Sequence, residues 1–295
     1  MKKILSILAV SFLMMGMVAC DVIDEQDYIK NNGGTTPPVQ PGEPSEPGNP
    51  GEPGQPGDFT TSKCVLLEDY TGVRCPNCPE AGEIALQIQE QYHHQVVVLA
   101  VHAGGMMFSN PAGGFHDFRT TEGDAWRDEL GIQNFPSGTI NRKQSSGTYV
   151  FNKDQWANEV ATALQEESTV AMASNVEYDE ANRNLKVDIT SKALVELPDT
   201  YRLTVCIMED SIVGKQILPT GTVDDFMHRH IFRTTMNGEW GEAINEAPMA
   251  PEEVITKSYS VALNEAYNAD QCYIVAYVHN DATREVLQVI EKKIK

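Results

Sequence analysis

Two cysteines three positions apart, Cys75-Pro76-Asn77-Cys78, stand where a short apolar run gives way to a helical pattern. A dithiol switch needs two sulfurs close enough to bond and one of them ionised near neutral pH. A Cys-x-x-Cys at a helix start supplies both conditions, because free backbone N–H groups and the helix dipole stabilise a thiolate there. Cys75 is the predicted attacking sulfur, and Cys78, one turn deeper, the one that resolves a mixed disulfide. Arg74 beside Cys75 would add positive field, although an exposed arginine there would be screened by solvent. The same spacing also suits a fixed disulfide that closes a turn, or half of a zinc site, but no second Cys-x-x-Cys exists to complete such a site and no metal is expected. His102 and His116 flank a glycine-rich stretch that would overhang the cysteines, although each also reads as a plain loop or strand-end histidine. His228-x-His230 would send both rings to one face of a strand and so suit a metal, yet it reads better as structural. Cys206 and Cys272 fall in two predicted strands of an exported chain, where a structural disulfide between them is expected to be feasible. Cys64 reads as a small buried apolar residue.

The elements that must position these groups come in a recognisable order. Cys64 to Tyr70 (CVLLEDY) is a predicted buried strand, Glu80 to Tyr92 carries Ile84, Ile88 and Tyr92 at helical spacing, and Gln95 to His102 (QVVVLAVH) is a second buried strand. Strand, helix, strand implies a parallel pair with a right-handed crossover. Downstream, Gly123 to Leu130 looks helical, Phe135-Pro136-Ser137-Gly138-Thr139-Ile140 is a short strand led by proline, and Lys153 to Glu167 is a helix packed by one face. After residue 168 the period shifts towards two, as in Val170-Met172-Ser174-Val176, Leu185-Val187-Ile189, Leu203-Val205-Ile207 and Ile274-Ala276-Val278. An antiparallel β-sandwich is the natural reading of that pattern.

Ahead of these parts lie an address and a spacer. Lys2 and Lys3 precede an apolar stretch, Ile4 to Val18, that ends in Ala19-Cys20. The stretch is shorter than the roughly 20 residues that span a hydrocarbon core, so a secretory signal is the stronger reading. Its Met-Val-Ala-Cys ending resembles a bacterial lipobox, which would make Cys20 an acylated N-terminus and anchor the protein to a membrane. Eight of the 16 prolines fall between residues 31 and 58, one at every third position from Pro38 to Pro56, and no packed core forms from such a segment. The predicted organisation is a signal peptide over 1–19, an acidic and Pro/Gly-rich tether over 20–58, and folded parts over 59–167 and 168–295.

Composition narrows the classes of function. With 22 Lys and Arg against 42 Asp and Glu, the formal charge is −20, which leaves too little clustered positive charge for phosphate contacts, and no nucleic-acid partner is expected. No phosphate loop, nucleophile elbow or zinc helix motif is present, so nothing points to a nucleotide, a hydrolase or a bound cofactor.

The segments VLLEDYTGVRCPNCPEAGE and FPSGTINR together resemble the Omp28 type of outer-membrane lipoprotein from Gram-negative bacteria. That resemblance implies a thioredoxin-like α/β domain followed by the antiparallel β-sandwich domain. It also implies a cis peptide before Pro136, opposite the cysteines, with Phe135 lining a substrate groove. Asp69, six residues before Cys75, matches the buried acid that assists proton transfer in thioredoxins, while Glu68 competes for the role because strand parity decides which carboxyl points under the sulfurs. Two functions remain in play. One is a membrane-anchored thiol-disulfide oxidoreductase acting on exported protein thiols or a redox partner. The other is a non-catalytic binding or adhesion lipoprotein, in which the first folded part is a rigid platform. Either would sit at the outer membrane, facing the periplasm or the cell surface.

Overall fold

Among the described residues strands dominate, 43% against 19% helix, and most of them meet in one sheet. The structure, a computed structural model, describes residues 58–104, 107–246 and 248–295, so the signal, Cys20 and nearly all of the proline-rich tether lie outside the described residues. The first half contains β1 (Val65–Tyr70), α1 (Cys78–Tyr92), β2 (Val96–Val101), α2 (Thr121–Glu129), β3 (Ser137–Ile140) and α3 (Trp156–Ala163). The second half contributes β4 (Val170–Asp179), β5 (Asn184–Ala193), β6 (Tyr201–Glu209), β7 (Ile212–Leu218), β8 (Gly221–His228) and β9 (Ile231–Thr235). The short β10 (Glu242–Ala243), β11 (Val254–Ala262), β12 (Cys272–Asn280) and β13 (Val286–Lys293) complete it. Among the described residues no helix is long and apolar enough to cross a membrane.

The expected thioredoxin-like α/β domain followed by a separate β-sandwich domain is not what the chain builds. The main sheet runs β13-β12-β6-β9-β2-β1-β3, with β10 also on β6, so strands from both halves share it across residue 167. Only β1–β2 and β2–β9 pair in parallel, and the other ladders are antiparallel. The physical reason is plain in the burial of β2, whose six residues are all buried: a strand covered on both faces also has two edges to satisfy, and β9 takes the free one. Likewise β6 and β12 are buried on both faces over most of their length, where an isolated sandwich would leave one face wet.

Alternation along the central strands sorts side chains into two layers. On one face Val65 and Leu67 of β1 meet Ala81, Ala85 and Ile88 of α1 together with Trp156 and Val160 of α3. On that same side of β6, Leu203, Val205 and Ile207 pack against Leu185, Val187 and Ile189 of the three-stranded sheet β11-β5-β4. The opposite face buries Leu66, Tyr70, Leu99, Trp126, Phe232 and Tyr277. Helix α2 is started by Thr120, whose hydroxyl accepts from the Gly123 amide at 2.9 Å, and it carries Trp126 into this second layer. Gly138 of β3 is required by packing, since a Cβ there would lie 2.5 Å from the Trp156 indole.

Cys206 and Cys272 are unpaired, contrary to the expected disulfide. In the β6–β12 ladder Cys206 stands opposite Val275 and Cys272 opposite Glu209, three positions out of step, and the two side chains enter different core clusters. Bridging them would require the strands to slip. Burial pushes the Cys64 thiol up to about 11 and Cys272 up to about 12, and raises Cys206 further. All three thiols are therefore expected to resist iodoacetamide in the native chain and to react in guanidinium, as read by mass spectrometry of each cysteine peptide. Native labelling of Cys206 would contradict its placement.

Candidate functional site

The two spaced cysteines sit where β1 ends and α1 begins. Thr71 and Gly72 turn the chain, Asn77 stands at the N-cap position of α1 without a side-chain hydrogen bond, and Pro79 in the first turn takes a position where no N–H is needed. The sulfurs of Cys75 and Cys78 are bonded, with Cα atoms 5.4 Å apart. Beside them, Ser137 of β3 pairs with Tyr70 at the end of β1, and the Phe135–Pro136 peptide that leads into β3 is cis. Phe135 is buried in the same core cluster as Cys75 and Cys78, so its ring does not line an open groove.

Strand parity separates the two candidate carboxyls. Glu68 points to the second layer and is neutralised there by Arg142, at 2.6 Å with both side chains fully buried, while the Thr139 hydroxyl donates to it at 2.7 Å. Asp69 points to the α1 side and lines a cavity of about 60 Å³ together with Thr71, Cys78, His102, Gln216 and His228. Its Oδ1 is buried without a hydrogen-bond partner, and desolvation raises its pKa to about 8. A carboxyl in that state is mostly protonated at neutral pH, and it shares the cavity lining with Cys78.

Cys75 is sealed, at 1% exposure. The seal comes from segments far away in sequence. The Gln216 amide of β7 donates to the carbonyls of Cys75 at 3.1 Å and Gly72 at 3.3 Å, and the Ile217 amide donates to Val73 at 3.0 Å. From the other side, the Arg74 amide donates to the Phe108 carbonyl at 2.8 Å. Arg74 itself is engaged away from the sulfurs, donating to the carbonyls of Asn110 and Ala112 and stacking 4.4 Å from the Phe115 ring. Sequence reasoning missed Gln216 entirely. A buried glutamine in an otherwise alternating strand was the available signal, but its target lies more than 140 positions upstream.

The histidines surround the same region. His102 and His228 both pack edge-on to Phe118, at 5.0 and 5.1 Å between ring centroids, and His116 stacks on Phe118 at 5.1 Å. Nε2 of His116 lies 3.1 Å from the Val213 carbonyl and Nε2 of His228 lies 3.3 Å from that of Lys215, so both rings are tied to β7. Burial, with His228 and Arg233 nearby, pushes His102 down to about 3, and burial pushes His228 down to about 4. His230 adopts φ of 56° and its backbone amide donates to Asp210, so the His228-x-His230 pair does not lie in one regular strand. Among the described residues no three His, Cys, Asp or Glu side chains gather closely enough to hold a metal.

The family model of outer membrane protein Omp28 matches residues 123–295, more than half of the chain. The chain belongs to the Omp28 family. It is an exported, membrane-associated protein of the outer membrane. The match begins at α2, after the cysteines, so Omp28 membership by itself assigns no role to Cys75 and Cys78. Among solved structures, HBP35 of Porphyromonas gingivalis aligns with a TM-score of 0.61 at 19% identity over 81% of this chain and 76% of that one, a likeness of fold. A domain of the outer membrane lipoprotein Omp28 from the same organism aligns at a TM-score of 0.31 and 22% identity, over 43% of this chain and 89% of its own. A protein of Agrobacterium tumefaciens gives a TM-score of 0.47 at 12% identity, over 79% and 96%. No curated protein matches the chain significantly by sequence.

Proposed function

We propose that this Omp28 protein is a thiol-disulfide exchange protein held at the outer membrane by a lipid on Cys20, and that Cys75 and Cys78 are its redox pair. The observation that carries this reading is Asp69: a buried carboxyl with an unpartnered oxygen, facing the cavity that Cys78 lines. A disulfide that served only as a staple would gain nothing from such a group, which costs about 1–3 kcal/mol to leave unsatisfied. A proton acceptor for a resolving thiol needs that placement.

In the reduced protein, the Cys75 thiolate attacks an exported protein's disulfide, forming a mixed disulfide and releasing one partner thiolate, which takes a proton from solvent. The Cys78 thiol then gives its proton to Asp69, in the minor fraction of molecules in which that carboxyl is ionised at neutral pH, and attacks the Cys75 sulfur. The bond from Cys75 to the partner breaks, the Cys75–Cys78 bond forms, and the second partner sulfur leaves as a thiolate and is protonated. Two electrons pass to the partner, whose disulfide becomes two thiols. Reduction of the Cys75–Cys78 bond runs the same steps backwards. Because Cys75 is covered, the partner's sulfur gains access only when Gln216 and the Phe108 turn move aside, after which Phe135 and Pro136 form the adjoining wall.

One observation favours the second reading, a binding lipoprotein with a fixed disulfide, and it is that same cover over Cys75. Turnover separates the two. The full-length chain is expected to reduce or oxidise a fluorescent disulfide substrate, with Cys75→Ser losing at least about a hundredfold while its circular dichroism stays that of the parent. No turnover, together with a reduction potential below about −300 mV, would leave the fixed disulfide as the answer.

A further inference from the structure

The cavity beside the disulfide holds two unsatisfied polar atoms, not one. Asp69 Oδ1 and His102 Nδ1 are both buried without a partner, and both residues line that space. Parity explains the coincidence: Asp69 is in register with Ala100 in the parallel β1–β2 ladder, so Asp69, Ala100 and His102 share the face that looks at α1. At about 60 Å³ the space takes about two water molecules, for which the Asp69 carboxyl and the His102 ring offer polar partners within a lining that is otherwise largely apolar. Its exposed lining residues include Gly82 and Glu83 of α1 and Met227 of β8, and a Cβ at Gly82 would meet nothing within 4 Å. Cys78, Asp69, His102 and His228 thus line one cavity, and His228 is itself buried.

We propose that this cavity is the proton path of the exchange reaction, with His102 and His228 as positioning residues that connect the Asp69 carboxyl to solvent between α1 and β8. The inference rests on the redox reading of Cys75 and Cys78. During reduction of the disulfide, Cys78 leaves as a thiolate and takes the Asp69 proton. Asp69 is then ionised in a poorly solvated site and must recover a proton from outside. The neutral His102 imidazole serves here by accepting a proton on one nitrogen as it releases one from the other, so it never has to become a stable cation. His228, with Nε2 held at the Lys215 carbonyl, has Nδ1 left to order the water that supplies the proton. The charged groups around the path fit that role. Glu83 and Arg229 face solvent, His230 is half-buried alongside, Arg233 acts on His102, and His116 acts on His228.

The test uses the full-length chain and dithiothreitol as the reductant, following the Cys75–Cys78 bond by rapid mixing. In the unmodified chain the rate in mixed light and heavy water should fall along a curve, as expected when more than one proton moves. His102→Gln and His228→Gln together should slow reduction about tenfold at pH 7 and flatten its pH profile, with an unchanged reduction potential. Small imidazole added to the variant should restore part of the rate. A straight isotope plot in the unmodified chain, or a variant rate equal to the parent's, overturns the proton path. These outcomes leave the redox reading standing, whereas a chain with no exchange in any form removes both.

Discussion

Glu68→Gln is expected to lower the unfolding free energy by about 3–5 kcal/mol, because it leaves the Arg142 guanidinium charged and unpaired in the core. Arg142 is fully buried, donates to both Glu68 oxygens and to the Tyr277 hydroxyl, and lies 4.8 Å from the Trp126 ring and 5.1 Å from that of Tyr277. It cannot shed its proton, so nothing inside the site compensates for the lost carboxylate. The pair joins the loop after β3 to β1 and β12, which places the loss at the seam between the two halves of the chain. Urea titration of Glu68→Gln, Arg142→Met and the double variant settles the point. The double variant should be less destabilised than the sum of the singles, since removing both charges removes the desolvation penalty along with the attraction. Additive losses would mean that the two groups do not act as a pair.

That pair also marks what can and cannot be read from residues alone. The strand, Cys-x-x-Cys, helix, strand order was legible, because β1, α1 and β2 are each specified by local periodicity and by a proline at the helix start. The α1 face shifted only slightly: Ala81, Ala85 and Ile88 are buried, with Ile84 and Tyr92 at the margin. Parity could narrow the carboxyl to Glu68 or Asp69 but not choose, since the choice depends on which layer α1 occupies. The sheet was not legible. Alternation in β6 and β12 says that one set of side chains goes inward, and it is silent about a second layer on the other face or about β9 joining β2. The seal over Cys75 was hidden for the same reason. Residues of β7 form a hairpin with β8 by local rules, while the docking of Gln216 onto the Cys75 loop depends on a contact that no short window contains.

Asp69→Asn is expected to make the protein more stable and the exchange slower at the same time. The wild-type carboxyl titrates at about 8 when folded and near 3.8 when exposed, so between those values the folded chain holds one proton more than the unfolded chain. Stability contributed by the protonated form is complete below about pH 4 and is lost as pH rises, at about 1.4 kcal/mol per pH unit, until the folded carboxyl ionises near pH 8. Asparagine fills the same volume and does not titrate, so the variant should lose that slope and exceed the wild type in unfolding free energy at pH 8, with little difference at pH 4. Urea midpoints across this range read the effect directly. Parallel curves for the two proteins would show that Asp69 is ionised in the folded state, solvated through the cavity beside Cys78. In the exchange assay the same substitution removes the group that takes and returns the Cys78 proton, and the rate should fall about a hundredfold near pH 7. A protein that keeps a destabilising carboxyl next to a disulfide at neutral pH gives up stability at that position, and the combined rise in stability and fall in rate is the signature that separates a working redox pair from a staple.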